Sequence, residues 1–512
     1  MTPAPPTATP LFGSRLAFAL AVVSGLLYYL ALPGVNVWPA AFITLAPLLL
    51  ALHGRSPRAA AALGLCAGSV MSLTGFSWLF GMLRLFSGLP APVCLLLMVL
   101  TCVYQGGRMA LTCWLTARAA ARRWPAAIAF VLASVTGELL YPLLFPWYFA
   151  FTMHGTPLLL QTADLGGVYL VGALLLGPNL ALAELLRARL SRSPVSWPLL
   201  GLGLAAPLAG AAYGAVRIPR VEAAERGALA VNVGVAQGNL PLVTREGGVS
   251  IHRRLTESLR DRGANLVVWS EGAIPDVFDE AGYAAQAARI TGGLDVPVLF
   301  GAGLRRRVGD GTRLLNTALL SDFDGRIVGR YDKQFLLPFG EFIPFGETFP
   351  WLYDLSPNSA RMIAGDSDRP VELTGHPIAV LVCYEDILPW FVNRAVSAGR
   401  PELLVNLTID TWFGHSIEPW EHLALAQLRA VEHRRWLVRA TNSGVSAIID
   451  SAGRITARAT PFVEDSFVAP VRLSAPRTVY ETLGDAPFYL AALVVGAMAL
   501  VPRRRRQARA AA

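Results

Sequence analysis

The sequence predicts a polytopic α-helical membrane bundle of about eight spans that carries one inserted α/β domain. Three observations predict it. Of 512 residues, 54% are hydrophobic and only 15% charged, which is too apolar and too long for one ordinary soluble domain. The apolar residues run in stretches of bilayer-crossing length, about 17–25 residues each. Between the seventh and eighth stretches the charged residues cluster, apolar runs shorten to strand length and Gly/Pro/Asp turns recur, as in a soluble α/β domain.

In chain order, residues 1–13 are rich in Pro, Thr and Ala and read as disordered. Residues 14–216 form a seven-span bundle, with spans near 14–32, 36–53, 59–83, 88–115, 125–145, 161–186 and 196–216. The first span reads as a retained anchor. Its only nearby basic residue is Arg15, and Leu32-Pro33-Gly34 is a poor signal-peptidase site. The α/β domain occupies 217–485, about 270 residues, which can bury a core without disulfides or metals. An eighth span follows at 486–502, then a basic tail at 503–512.

Arginine placement orients the assembly, because short basic loops stay in the cytoplasm. Arg55 and Arg58 follow span two, Arg118, Arg122 and Arg123 follow span four, and Arg187, Arg189 and Arg192 follow span six. Arg503 to Arg506 follow span eight, whereas the odd-numbered loops carry little beyond Arg84. Both termini are therefore expected in the cytoplasm and the α/β domain outside. The net charge of +9 is mostly this topology signal and does not argue for a nucleic-acid partner.

Of five cysteines, only Cys383 lies outside the apolar segments; Cys66, Cys94, Cys102 and Cys113 read as packing residues. Cys383 ends the run Ile378-Ala-Val-Leu-Val-Cys383 and precedes Tyr384-Glu385-Asp386. A thiol at the end of a buried strand is held rigidly while its sulfur faces the following polar loop, which suits a nucleophile. Such a thiol is mostly protonated near neutral pH and needs an activator. His252, His376, His415, His422 and His433 fall in no recognisable Cys/His signature, so each reads as a surface or core residue and no metal is assigned.

Carboxylates are better placed. Leu266 to Trp269 forms a short apolar strand that delivers Glu271, and Ile327-Val-Gly-Arg-Tyr-Asp-Lys333 delivers an amine ahead of Leu336-Leu-Pro-Phe-Gly-Glu341. The three groups complement one another. Glu271 can take the thiol proton as general base, Lys333 can hold an oxyanion by fixed charge, and Cys383 can attack an acyl carbon to form a thioester. Phe339, Phe342, Phe345, Trp351 and Trp412 could shield that thioester from water or contact lipid. Within the spans, Arg108 and Glu138 leave two readings open, a buried pair beneath the site or two snorkelling or separately satisfied groups.

The Glu-Lys-Cys order, carried by VVWSEGAIP, YDKQFLLPFGEFIP and VLVCYED, resembles the nitrilase (carbon–nitrogen hydrolase) superfamily. Seven spans, such a domain and one closing span resemble the apolipoprotein N-acyltransferase family. The similarity includes Glu138, Phe145-Pro-Trp147, Asp164-Leu-Gly-Gly167, Asn406 to Gly414 and Arg439-Ala-Thr-Asn-Ser-Gly444. The resemblance implies an αββα sandwich, an inner-membrane location with the catalytic domain in the periplasm, and a two-step reaction. Phospholipid would acylate Cys383, and the thioester would pass its chain to the free amine of a diacylglyceryl-cysteine lipoprotein. It further implies Glu271 as base, Lys333 as oxyanion stabiliser, Glu341 as supporting acid, and Tyr384 and Glu385 as residues shaping the pocket. A monomer in the bilayer is expected, with no cofactor.

The chain departs from the family pattern at Ser270 and Gly272, Gln334-Phe335, Ile409 and His415, and lacks a Trp near Arg245 or Glu246. A membrane-tethered amidase, a paralogue with another acceptor and a non-catalytic scaffold are the alternatives. Intact Glu, Lys and Cys argue against the scaffold, and the spans argue against an amidase of small soluble amides.

Overall fold

The computed structural model describes residues 9–241, 247–309, 311–354 and 359–503. The first eight residues, the Arg245–Glu246 position and Arg504 to Arg506 lie outside the described residues. Helices α1 (Ser14–Leu30), α2 (Ala46–Leu52), α3 (Pro57–Gly75), α4 (Leu79–Ser87), α5 (Ala91–Ala121) and α6 (Ala126–Leu140) come first. After them come α7 (Pro157–Leu160), α8 (Ala163–Leu190) and α9 (Trp197–Glu225). By length and composition α5, α8 and α9 can each cross a membrane, and a fourth crossing results if α3 and α4, bent by 60°, act together. The remaining apolar helices are shorter. The stretch predicted over 125–145 stays helical only to Leu140, since Pro142 and Pro146 offer no backbone N–H and break the ladder.

The α/β region holds two sheets. Strands β1 (Leu229–Gln237), β2 (Leu266–Trp269), β3 (Val277–Asp279), β4 (Val298–Val308), β5 (Gly311–Ser321) and β6 (Ile327–Asp332) belong to the first. Strands β7 (Val371–Leu373), β8 (His376–Val382), β9 (Leu403–Thr408), β10 (Trp436–Thr441), β11 (Ala447–Ile449) and β12 (Ile455–Arg458) form the second. Strand β13 (Asp465–Leu473) returns to the edge of the first, giving the order β13-β1-β2-β4-β5-β6 with β3 on β4; the second runs β12 through β7 in reverse chain order.

Alternation along the strands builds the layers. Val380 and Val382 of β8 point between the sheets, against Val233, Val268 and Leu320, while Ala379 and Leu381 point outward. Helices α10 (Gly248–Asp261) and α11 (Tyr283–Thr291) cover the first sheet through Leu255, Leu259 and Ala287. Helices α12 (Pro389–Gly399) and α13 (Glu418–His433) cover the second through Phe391, Val392 and Leu428. The result is the helix–sheet–sheet–helix sandwich that the resemblance implied.

The outer layer α12–α13 is itself roofed by the bundle, and one core runs from Leu381 and Leu404 through Leu425 to Tyr28, Trp147 and Tyr169. Polar ties fix this contact. Arg434 lies 2.8 Å from Asp164 of α8, Arg217 of α9 reaches the same carboxylate at 2.7 Å, and Val168 N–H donates to Glu432. Gly167 makes the close approach possible: its φ is +58°, and a Cβ there would lie 2.7 Å from the Tyr480 ring. Helix α14 (Val479–Leu483) carries that tyrosine, and α15 (Ala486–Leu500) then turns back against α5 and α6.

Candidate active site

Three strand ends converge. Glu271 follows β2, Lys333 follows β6 and Cys383 follows β8, and all three line one cavity of about 280 Å³. Lys333 Nζ lies 2.8 Å from Glu341 Oε2 and 3.7 Å from Glu271 Oε1. Asn316 Nδ2 donates to both acids, at 2.7 Å to Glu271 and 2.9 Å to Glu341. The loop is pinned from behind, because Lys333 N–H donates to Asn316 O and Gly365 N–H donates to Lys333 O, each at 2.8 Å. Glu341 accepts the Leu337 N–H at 2.8 Å, so the acid that holds Lys333 also shapes the turn after it.

These contacts set the charges. Burial works against the Lys333 ammonium, but Glu341, Cys383 and Glu271 outweigh it and its pKa rises, so the amine stays charged. Burial pushes the Cys383 thiol well up, Glu271 and Glu341 add to this, and Lys333 and the Thr408 hydroxyl oppose it. The resting sulfur is therefore a thiol, and an attack must begin by removing its proton.

Cys383 has φ +54° and opens a 3-10 turn, Cys383–Ile387. Glu385 holds that turn. It accepts from Val382 N–H (2.8 Å), Gln334 N–H (2.7 Å), Phe335 N–H (3.0 Å) and the Tyr331 hydroxyl (2.9 Å). The carboxylate thus ties the sulfur-bearing turn to the residues after Lys333. Its pKa rises to about 7, because burial outweighs the backbone donors. Tyr384 stacks on Phe335 with rings 5.8 Å apart and donates its hydroxyl to Leu144 O, which joins the turn to the bundle. The sequence departure at Phe335 therefore supplies a stacking face.

Trp412 lines the cavity, as does Ile409, another departure. Phe339 and Phe342 are not among the lining residues. Phe339 is 57% exposed, in a left-handed turn closed by its N–H on Phe342 O at 2.7 Å. Phe345 and Trp351 are likewise exposed. His415 lies outside too, its ring against Phe462. From the bundle, Met82 of α4 enters the cavity wall. A second, smaller hollow of about 50 Å³ is also lined by Cys383 and is walled by Trp78, Phe145, Trp147 and Phe413.

Behind the Cys383 turn sits a charged cluster whose members were read separately in the sequence, without their contact. Arg439 Nη2 lies 2.9 Å from Asp410, its Nη1 donates to Asn406 Oδ1 at 2.7 Å and lies 3.2 Å from Asp386, and Asn406 Nδ2 donates to Cys383 O at 3.2 Å. His422 joins in, 2.7 Å from Asp386 and 3.3 Å from Asp410. Burial and Arg439 oppose the imidazolium, yet Asp386 and Asp410 push the pKa up to about 10. Asp410, Glu418 and His422 stand close enough for a metal ion, but both His422 nitrogens are already turned to carboxylates and Asp410 is held by Arg439. The donor set fits an ion-pair cluster better than a metal.

Arg108 and Glu138 form no direct ion pair, as in the second of the two readings. Arg108 Nη1 donates to Trp147 O at 2.5 Å and its guanidinium covers the Trp147 ring, while Glu138 accepts Phe149 N–H at 2.7 Å. Both fasten the segment that walls the small hollow.

Residues 24–181 match the apolipoprotein N-acyltransferase N-terminal domain, and residues 232–479 match the carbon–nitrogen hydrolase domain. An apolipoprotein N-acyltransferase from Geobacter metallireducens is 32% identical over 92% of each chain, and one from Azotobacter vinelandii is 33% identical over 96% of each. A solved carbon–nitrogen hydrolase from Helicobacter pylori G27 shares 16% identity, covers 51% of this chain and 94% of its own, with a TM-score of 0.37. The sequence motifs, the two sheets and near full-length similarity agree, and the chain belongs to the apolipoprotein N-acyltransferase family, with a carbon–nitrogen hydrolase domain behind its apolar helices.

Proposed function

We propose that this protein moves an acyl chain from a membrane phospholipid, through a thioester on Cys383, to the N-terminal amine of a diacylglyceryl-cysteine lipoprotein. The observation that carries the reading is a cavity shared by Glu271, Lys333, Glu341 and Cys383 whose wall includes Met82 of an apolar helix. Such a cavity lets a lipid ester reach a thiol without leaving the membrane face.

In the first step Glu271 takes the Cys383 proton as Sγ attacks the ester carbon. The Lys333 ammonium stabilises the oxyanion, aided by low local polarity. The C–O bond breaks, the proton passes from Glu271 to the departing lysophospholipid oxygen, and the thioester remains. In the second step the acceptor amine attacks, Glu271 takes its proton, and the C–S bond breaks to an amide and a thiolate that recovers the proton. Glu341 and Asn316 hold Lys333 and Glu271 in place throughout. Trp412 limits water at the thioester, which would otherwise be lost to hydrolysis.

The eight apolar helical segments, with basic residues after the even-numbered ones, support a bundle with both termini in the cytoplasm and the catalytic domain, 217–485, in the periplasm of the inner membrane. The family's N-acyltransferase name supports lipoprotein as acceptor. The test supplies the purified chain with phospholipid and a diacylated lipopeptide, its amine free in one arm and acetylated in the other. Chain transfer to the free amine alone is expected. Release of free fatty acid with no N-acylated peptide would overturn the reading in favour of a tethered hydrolase.

A further inference from the structure

A cavity of about 310 Å³ is remote from Cys383. It lies between α2, α5, α6 and α8, at the helix ends farthest from the α/β domain. Helix α8 gives the separation. Val168 marks its domain end, and Arg187, in the crevice wall, lies 19 residues on, about 29 Å at 1.5 Å per residue. That matches a hydrocarbon core of about 30 Å.

The lining is apolar along α5 and α6, with alanines such as Ala117, Ala120 and Ala127, and polar at one rim, with His53, Arg55 and Arg187. Only one acid is present there, Glu184, and it is consumed by Arg187 at 2.7 Å. Arg55 donates through Nη2 to Phe12 O at 2.6 Å, while its buried Nε has no partner. Arg58, Arg118, Arg122 and Arg189 stand on the same helix ends. An apolar slot with an uncompensated basic rim selects a ligand with a hydrocarbon chain and an anionic head. Basic pockets between membrane helices take phosphate head groups in this way, and the volume meets the lower end of roughly 300–1,000 Å³ typical of ligand clefts.

We propose that this crevice is a second lipid site, which holds an anionic phospholipid of the leaflet opposite the catalytic domain. One acyl chain lies among the alanines, and the phosphate accepts from Arg55. The proposal rests on the bundle spanning the bilayer and is independent of the acyl-transfer chemistry.

The test uses the full chain in neutral detergent, titrated with phosphatidylglycerol, phosphatidylcholine or inorganic phosphate while thermal unfolding is followed. Phosphatidylglycerol raises Tm saturably, and the other two do not. Arg55→Gln and the slot-filling Ala120→Phe each weaken that response at least about tenfold in midpoint, a loss of about 1.4 kcal/mol, whereas Arg58→Gln, outside the slot, keeps it. An equal response in Arg55→Gln and the native chain would overturn the proposal, as would a response to phosphate alone, which would mean a free-anion site. Should the variants not fold, native mass spectrometry of the unaltered chain with equimolar phosphatidylglycerol and phosphatidylcholine decides. One retained phosphatidylglycerol supports the site, and equal retention overturns it. Acyl label on Cys383 in Arg55→Gln stays at the native level, so failure here and failure of the acyl-transfer reading are separable.

Discussion

Two charged clusters flank Cys383, and they are built to opposite ends. In front, Glu271, Glu341 and Lys333 surround a cavity, with Asn316 shared between the two acids. Behind, Asp386, Asp410, His422 and Arg439 pair with one another, and they reach Cys383 through Asn406 on its carbonyl and through Thr408, whose hydroxyl donates to Asp410 at 3.4 Å. The front keeps proton-carrying groups next to open space, as chemistry requires. The rear fixes a left-handed cysteine at the end of a strand. Charge near a nucleophile is therefore not evidence of catalysis until its partners are counted.

Substitutions separate the two. The largest expected effect is in front: Glu271→Gln and Lys333→Met each lower acylation of Cys383 per folded molecule by about 10²–10⁴-fold, because a base or an oxyanion donor is lost. Initial rates of label incorporation, read beside Tm, check this. A large fall in Tm with the rate per folded molecule retained would place these residues with the rear cluster.

At the rear, Arg439→Met leaves Asp410 and Asp386 buried without their partner and is expected to cost about 3–5 kcal/mol of stability. Denaturant unfolding measures it. Glycine 444 belongs to the same lock, since a Cβ there would lie 2.1 Å from Asp410 Oδ2, and Gly444→Ala should displace that carboxylate.

A smaller effect is a dependence on pH. The His422 pKa is raised from 6.5 to about 10, so its stabilisation is full below about pH 6.5 and is lost as pH rises through about 10. His422→Gln should be less stable at pH 6 and show a flatter fall towards pH 10. Glu421, on the same helix, differs. Burial pushes its carboxyl up to about 8 despite the Trp78 donor, so ionisation above about pH 4.5 weakens the fold progressively through pH 8. Glu421→Gln should therefore gain stability at pH 9 relative to the native chain. Parallel Tm curves for all three proteins would contradict both assignments.

The smallest effect is expected at the rim. Phe339→Ala changes the rate with a soluble short-chain thioester donor less than about twofold, because the ring stands outside the cavity.

Glu271, Lys333 and Cys383 were legible in the sequence because each follows a short strand, and a strand end is where a rigid frame releases a side chain into a loop. Asn316 was not, since it sits within an 11-residue strand with no punctuation around it, and its role comes from strand pairing. Met82 depends on the 60° bend between α3 and α4, which hydrophobicity does not encode. The rear cluster joins Asp386, Asp410, His422 and Arg439 from two turns, a helix and a strand, so no local pattern reveals their contact. Phe339 stands near Glu341 in the sequence, yet its left-handed turn leaves the ring exposed and outside the cavity lining. Arg108 and Glu138 were legible as charges within apolar helices, but their direct hydrogen bonds go to backbone groups and not to each other.

The most direct measurement is the intact mass of the purified chain after incubation with a phospholipid of defined acyl chain and no acceptor. The account predicts one added acyl group, mapped by peptide analysis to Cys383, absent in Cys383→Ala and discharged by a diacylated lipopeptide with a free amine. A folded native chain that gains no acyl mass, or a Cys383→Ala variant that still N-acylates the lipopeptide, would contradict it.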